Sequence, residues 1–163
     1  YVYKRQGNNV NEAREKFWTT LCEMVKSKYE MKPIQAVDKY TSMCMLGMGH
    51  EGAKLVSDDN YVVRVEVDKL YPELMDYKNG GGYFFEYVAQ NLDEIVPVLT
   101  KQCQTISVLG VSKQQVKDVV YRNGVRGVDR IVELGQTMGL EFIWDGYKMI
   151  ETMSRFVYTG EYV

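Results

Sequence analysis

Apolar residues in the first part of the chain recur at helical spacing. Phe17, Leu21, Met24 and Val25 stand among charged neighbours, which predicts an amphipathic helix over 11–29 with Asn9 or Asn11 as its cap. Pro33 suits the first turn of a second helix, carried on by Ala36, Val37, Tyr40, Met43 and Cys44 and ended by Gly47 and Gly49. The period then changes to two. Tyr61, Val63, Val65 and Val67 alternate with polar positions that include Arg64 and Glu66, the pattern of a half-buried strand near a sheet edge. Residues 70–82 follow no period, and Asn79-Gly-Gly-Gly82 predicts a flexible turn in a connecting loop.

The second half alternates strand-like and helical segments. Tyr83 to Val88 is a short aromatic run, and Asn91 with Glu94 forms a capping pair for a helix to about Gln102. Thr105 to Leu109 is β-branched and apolar. Ser112 with Gln115 caps a helix whose Val116, Val119 and Val120 make one stripe before Gly124 ends it. Arg130 to Leu134 is a further strand, and Asp145 is expected to cap a last helix with Met149, Ile150, Met153, Phe156 and Val157 facing inward. This order predicts an α/β fold, a mostly parallel sheet with flanking helices.

The 163 residues match the size of one domain, and 45% hydrophobic with 26% charged residues is a globular composition. Twenty basic residues against 22 acidic ones, both signs interspersed, leave no basic stripe for phosphates, so a nucleic-acid partner is not expected. Cys22, Cys44 and Cys103 are widely spaced and without a Cys-x-x-Cys pair, which points to a reducing cytoplasm and no metal. Cys22 and Cys44 lie on or beside apolar helix stripes and read as small buried hydrophobes. His50 is the single histidine. It sits in Gly47-Met-Gly-His-Glu-Gly52, which lacks the Gly-x-Gly-x-x-Gly form and reads as a solvated loop. No apolar run is long enough for a membrane span.

The opening Tyr1-Val-Tyr-Lys-Arg-Gln6 lacks an initiator Met and reads as a start inside a gene. Val-Tyr-Lys-Arg-Gln is also what GTG TAT AAG AGA CAG encodes, bases found in a transposase adapter for sequencing libraries. Residues 1–6 are therefore expected to be a scar detached from the fold, and 7–163 to be the native portion.

Three blocks downstream carry a resemblance: Gln104-Thr105 opening a strand, Gly127-Val-Asp-Arg-Ile-Val132 followed by Gly135, and Phe142-Ile-Trp-Asp-Gly-Tyr147 leading toward Ser154-Arg155. In this order they resemble the carboxy-terminal region of long-chain acyl-CoA reductases, the LuxC family of bacterial bioluminescence. Glu133 stands where the family pattern has a proline, and the tail from Val157 to Val163 runs longer than usual.

The resemblance implies a partial aldehyde-dehydrogenase-like domain. It implies an enzyme in which a cysteine thiolate attacks an acyl thioester, releases coenzyme A, and leaves an acyl-enzyme that NADPH or NADH reduces to the fatty aldehyde. In that layout the nucleophile and most of the nicotinamide site lie upstream, so no catalytic residue is assigned here and the chain alone is expected to be inactive. Arg130, Trp144 and Asp145 become candidates for lining or bracing the substrate channel. The implied partners are long-chain acyl-CoA or an acyl-protein thioester, with a homo-oligomer or fatty-acid reductase complex as the assembly. A part of another acyl-transfer enzyme and a non-catalytic α/β interaction module are the competing readings.

Overall fold

A computed structural model of the chain describes residues 2–4, 10–57 and 59–160. It divides into two compact units, Tyr1–Val98 and Leu99–Val163. Helix and strand are mixed in both, the α/β character that the hydrophobic pattern predicts.

The first unit contains β1 (Val2–Lys4), α1 (Val10–Lys28), α2 (Pro33–Gly49), β2 (Lys54–Leu55), β3 (Val63–Glu66) and β4 (Tyr83–Ala89). Two 3₁₀ helices, Pro72–Tyr77 and Leu92–Val98, complete it. The sheet order is β1-β4-β3-β2, with β1 and β3 parallel to β4 and β2 antiparallel to β3. Alternation along β3 sends Val63 and Val65 to one face, where Leu46 of α2, Leu70, Leu74 and Tyr83 join them in a core. The other face carries Arg64, Phe84 and Glu86, and α1 lies over it, Trp18 against Phe84 with ring centroids 5.2 Å apart. Each face of β3 therefore meets a different helix.

The second unit holds β5 (Thr105–Val108), α3 (Lys113–Arg122), β6 (Arg130–Glu133), the hairpin β7–β8 (Ile143–Trp144 and Tyr147–Lys148) and the short α4 (Met149–Met153). β5 and β6 are parallel, joined through α3, whose Val116 and Val119 are buried. A reciprocal cap starts α3: Gln115 N–H donates to Ser112 Oγ at 3.2 Å, and Ser112 N–H donates to Gln115 Oε1 at 3.3 Å.

Several expectations are corrected. Among the described residues three separate sheets replace one mostly parallel sheet, and nothing in their arrangement is distinctively aldehyde-dehydrogenase-like. Val2–Lys4 are not detached, because they pair with Tyr87–Ala89, whereas residues 1, 5 and 6 lie outside the described residues. β3 lies next to the edge strand β2, in keeping with its expected place near a sheet edge. α2 ends at Gly49, as expected, with Gly47 in its last turn. The segment after Leu70 is partly helical and sends Leu74 into the core. The helix begun by Asn91 and Glu94 is 3₁₀ and ends at Val98, where Pro97 inside it removes a backbone donor.

Asp145 caps no helix. It has φ 47° and, with Gly146 at φ 80°, makes the two-residue turn of the β7–β8 hairpin. An Asp-Gly pair between apolar neighbours is the strongest short hairpin signal, so the turn explains why α4 starts later, at Met149. Met149, Ile150, Met153, Phe156 and Val157 are correspondingly exposed rather than inward.

Candidate functional site

The side chains with the strongest mutual constraints gather under α1. Glu86 is fully buried in the middle of an aromatic strand and accepts from Arg14 Nε at 2.5 Å, Arg14 Nη2 at 2.9 Å, Arg64 Nη2 at 2.8 Å and Trp18 Nε1 at 2.8 Å. Arg14 also reaches Glu66 at 3.0 Å, and the Arg64 guanidinium lies 4.8 Å above the Trp18 ring. Burial alone would raise the Glu86 pKa, but the donors from Arg14, Trp18 and Arg64 outweigh it and hold the carboxyl below its ordinary range. Glu86 is thus an ionised anchor with its acceptor sites filled.

Beside this anchor a cleft of about 380 Å³ opens between α1 and the segment leading into β3, lined by Trp18, Cys22, Lys26, Ser57, Asp59 and Arg64. The Cys22 thiol donates to Asp59 Oδ2 at 3.3 Å, and Lys26 Nζ meets the same oxygen at 2.6 Å. Asp59 further accepts the backbone N–H groups of Tyr61 and Val62 at 2.8 and 3.1 Å. Burial opposes ionisation of Asp59, yet Lys26 and these hydrogen bonds draw its pKa down to about 2. Burial and then the Asp59 carboxylate push the Cys22 thiol up. Cys22 therefore sits in a polar cleft, contrary to its reading as a buried hydrophobe, but as a hydrogen-bond donor rather than a thiolate.

The remaining thiols separate clearly: Cys44 is exposed on α2, again contrary to expectation, and Cys103 is partly buried. At neutral pH a thiol reagent such as iodoacetamide is expected to modify Cys44 well before Cys22, and Asp59→Asn should speed modification of Cys22 by removing the negative charge beside it. Peptide mass mapping over time checks both; Cys22 reacting first would contradict its protonated state.

Two more features depart from the sequence reading. Lys39 is buried, with its ammonium on the carbonyls of Asn60 and Gly81, the latter at 2.7 Å, and burial lowers its pKa. The glycine run is accordingly a fitted turn rather than a loose one: a Cβ on Gly82 would lie 2.1 Å from the Tyr61 carbonyl oxygen. His50 is half-buried instead of solvated, its ring 4.5 Å from Tyr71 and 5.3 Å from Tyr77. Sequence reasoning missed Glu86, Lys39 and Asp59 as organising groups. The available signal was Glu86 itself, a lone charge inside Tyr83-Phe-Phe-Glu-Tyr87, which needs cations from elsewhere in the chain.

In the second unit the predicted candidates do meet in part. Arg130 is nearly buried, donates from Nη1 to the Thr137 carbonyl and from Nη2 to the Gly139 carbonyl, both at 3.0 Å, and stacks 4.5 Å from the Trp144 ring centroid. The Gln104 carbonyl accepts the N–H groups of Asp129 and Arg130 at 2.9 and 3.0 Å. A Cβ on Gly146 would lie 2.9 Å from Asp129 Oδ1. Arg130 and Trp144 thus form one cluster, while Asp145 belongs to the neighbouring turn. Among the described residues no group of His, Cys, Asp and Glu side chains could hold a metal ion, and no helix is long and apolar enough to cross a membrane.

No family model, curated protein or solved structure matches the chain.

Proposed function

We propose that this chain is a non-nucleophilic, carboxy-terminal part of an NAD(P)H-dependent long-chain acyl-CoA reductase that forms fatty aldehyde through an acyl-cysteine intermediate. The observation that carries this reading is the convergence of its three motif blocks on Arg130. The first block supplies the Gln104 carbonyl, the second Asp129 and Arg130, and the third Trp144 and Gly146. Gln104 and Trp144, 40 residues apart in sequence, thereby both meet Arg130, the first at its backbone N–H and the second at its guanidinium. A motif whose parts brace one another has a physical reason to occur as a set.

In this reading Arg130 fixes the 137–139 loop and the face of Trp144, and the exposed Leu140, Phe142 and Tyr147 of the same region offer apolar surface to an acyl chain. Long-chain acyl-CoA or an acyl-protein thioester is the substrate class, and the reduced nicotinamide binds mainly to upstream polypeptide. The protonated state of Cys22 agrees with a nucleophile located elsewhere.

The test is acyl-CoA-dependent NADPH or NADH oxidation, with fatty aldehyde detected, by the protein translated from the whole gene. Activity is expected there and not in the 163-residue chain. Trp144→Ala should reduce the rate at least about tenfold for long acyl chains and alter chain-length preference, on the scale of a lost aromatic contact. Absence of reductase activity in the whole-gene product would sink the reading, and an unchanged rate and preference in Trp144→Ala would remove the channel role.

A non-catalytic interaction module is the second reading, and the uncovered apolar face of α2 favours it. Nicotinamide and acyl-CoA that give no thermal stabilisation of the whole-gene product would support it over the first.

A further inference from the structure

The two long helices of the first unit differ in what they show to water. α1 exposes Glu12, Glu15, Lys16, Glu23, Lys26 and Lys28, the solvated face of an amphipathic helix. On α2, from Ile34 to Gly49, the sole exposed charge is Asp38. Its inner side already contributes Met43 and Leu46 to the core and Lys39 to the carbonyl cradle. On its outer side Ile34, Val37, Met45 and Met48 each leave more than half of their surface exposed. Thr41, at the centre of that side, has its hydroxyl turned to the Val37 carbonyl at 2.9 Å, so it adds little polarity. A helix apolar on both sides is a helix covered on both sides.

We propose that this outer face is covered by the same face of a second copy of the chain, the two α2 helices running antiparallel about a two-fold axis at Thr41. The spacing argues for this occupant. Positions 34, 37, 41, 45 and 48 form a palindrome, so a two-fold at Thr41 sets Ile34 level with the partner's Met48, Val37 level with the partner's Met45, and Thr41 against its own copy. Small Thr41 at the crossing lets two helices approach to about 8–10 Å, and antiparallel packing opposes their dipoles favourably. No basic side chain is exposed on the face to favour an acidic partner, and Asp38 is displaced from its own copy. One helix face supplies less than the roughly 800 Å² per partner of a standard interface, so the dimer is reversible and concentration-dependent.

Sedimentation equilibrium on the full chain, from about 1 μM to about 1 mM, tests this. A monomer–dimer equilibrium is expected. V37E alone and M45K alone should weaken it about 100-fold or more, because each buries two unpaired charges per dimer. The double variant V37E/M45K should recover association, since each carboxylate then lies level with an ammonium of the other copy; on one helix the two positions are about 12 Å apart and do not pair. Thr41→Cys, with Cys22, Cys44 and Cys103 replaced by serine, should form a disulfide-linked dimer far faster than Lys117→Cys on α3 in the same background. Val37, Thr41, Met45 and Lys117 are exposed and serine nearly matches cysteine in size, so circular dichroism should report native folding throughout. A wild-type chain that stays monomeric overturns the proposal. So does a dimer indifferent to the single variants, a double variant no better than either single, or Thr41→Cys crosslinking no faster than the control.

Discussion

Glu86→Gln is expected to lower the unfolding free energy by about 3–5 kcal/mol, the usual cost of breaking a buried ion pair from one side. The amide keeps the shape and one acceptor oxygen but leaves two guanidinium groups without their shared counter-charge. Both arginine side chains retain a little solvent contact, 15% for Arg14 and 13% for Arg64, so water relieves part of the loss and the lower end of the range is expected. Arg14→Ala should cost less, because Arg64 and Trp18 still hold the carboxylate. Urea denaturation with an unchanged slope measures both. A loss under about 1 kcal/mol for Glu86→Gln would mean that the carboxylate is not the ionised centre of this face.

The same group sets a pH dependence whose direction is fixed. Glu86 and Asp59 both have folded pKa values below their unfolded ones, so the folded state binds fewer protons than the unfolded state in the acid range. Their stabilisation is complete above the ordinary values of 4.5 and 3.8. It falls away as pH drops through the lowered ones, about 2 for Asp59. Glu86→Gln should therefore flatten the acid limb of the stability curve, leaving the part due to Asp59.

Local signals in the sequence located most elements, because each rests on interactions within a few residues. The caps at Ser112 and Gln115, the Pro33 start of α2 and the alternation of β3 are of this kind. What the pattern did not reveal is set at long range. Glu86 meets Arg14 across 72 residues, and Lys39 meets Gly81 across 42, so neither partner is visible from the other's neighbourhood. The single-sheet expectation failed for a related reason: a strand–helix rhythm fixes local pairing such as β5 with β6, but not which pairs share a sheet. Asp145 was open to reading as a cap or as a turn. The following Gly146, with its positive φ, favours the turn. Of the candidate site, the Arg130–Trp144 association was legible as motif membership, whereas the stacking that joins them depends on the path of the 134–142 loop.

Gly127→Ala is expected to cost about 3 kcal/mol or more, at or beyond the upper end of ordinary overpacking. A Cβ there would stand 1.8 Å from the Thr100 carbonyl oxygen and 2.4 Å from its carbon, so the obstacle is backbone and cannot rotate away. Relief requires moving the chain at Thr100 or at Gly127, and the second movement pulls Asp129 and Arg130 off the Gln104 carbonyl. Gly124→Ala separates this from a loss of backbone freedom. Gly124 has φ +60° with open space around its added methyl, so it should cost only about 1 kcal/mol. Hydrogen exchange resolves where the damage falls: Thr105–Val108 and Arg130–Glu133 should lose protection in Gly127→Ala, while Val63–Glu66 and Tyr83–Ala89 keep theirs. Equal stability of the two variants would show that Thr100 does not crowd Gly127. The glycine heading the second motif block would then have no steric reason to be there.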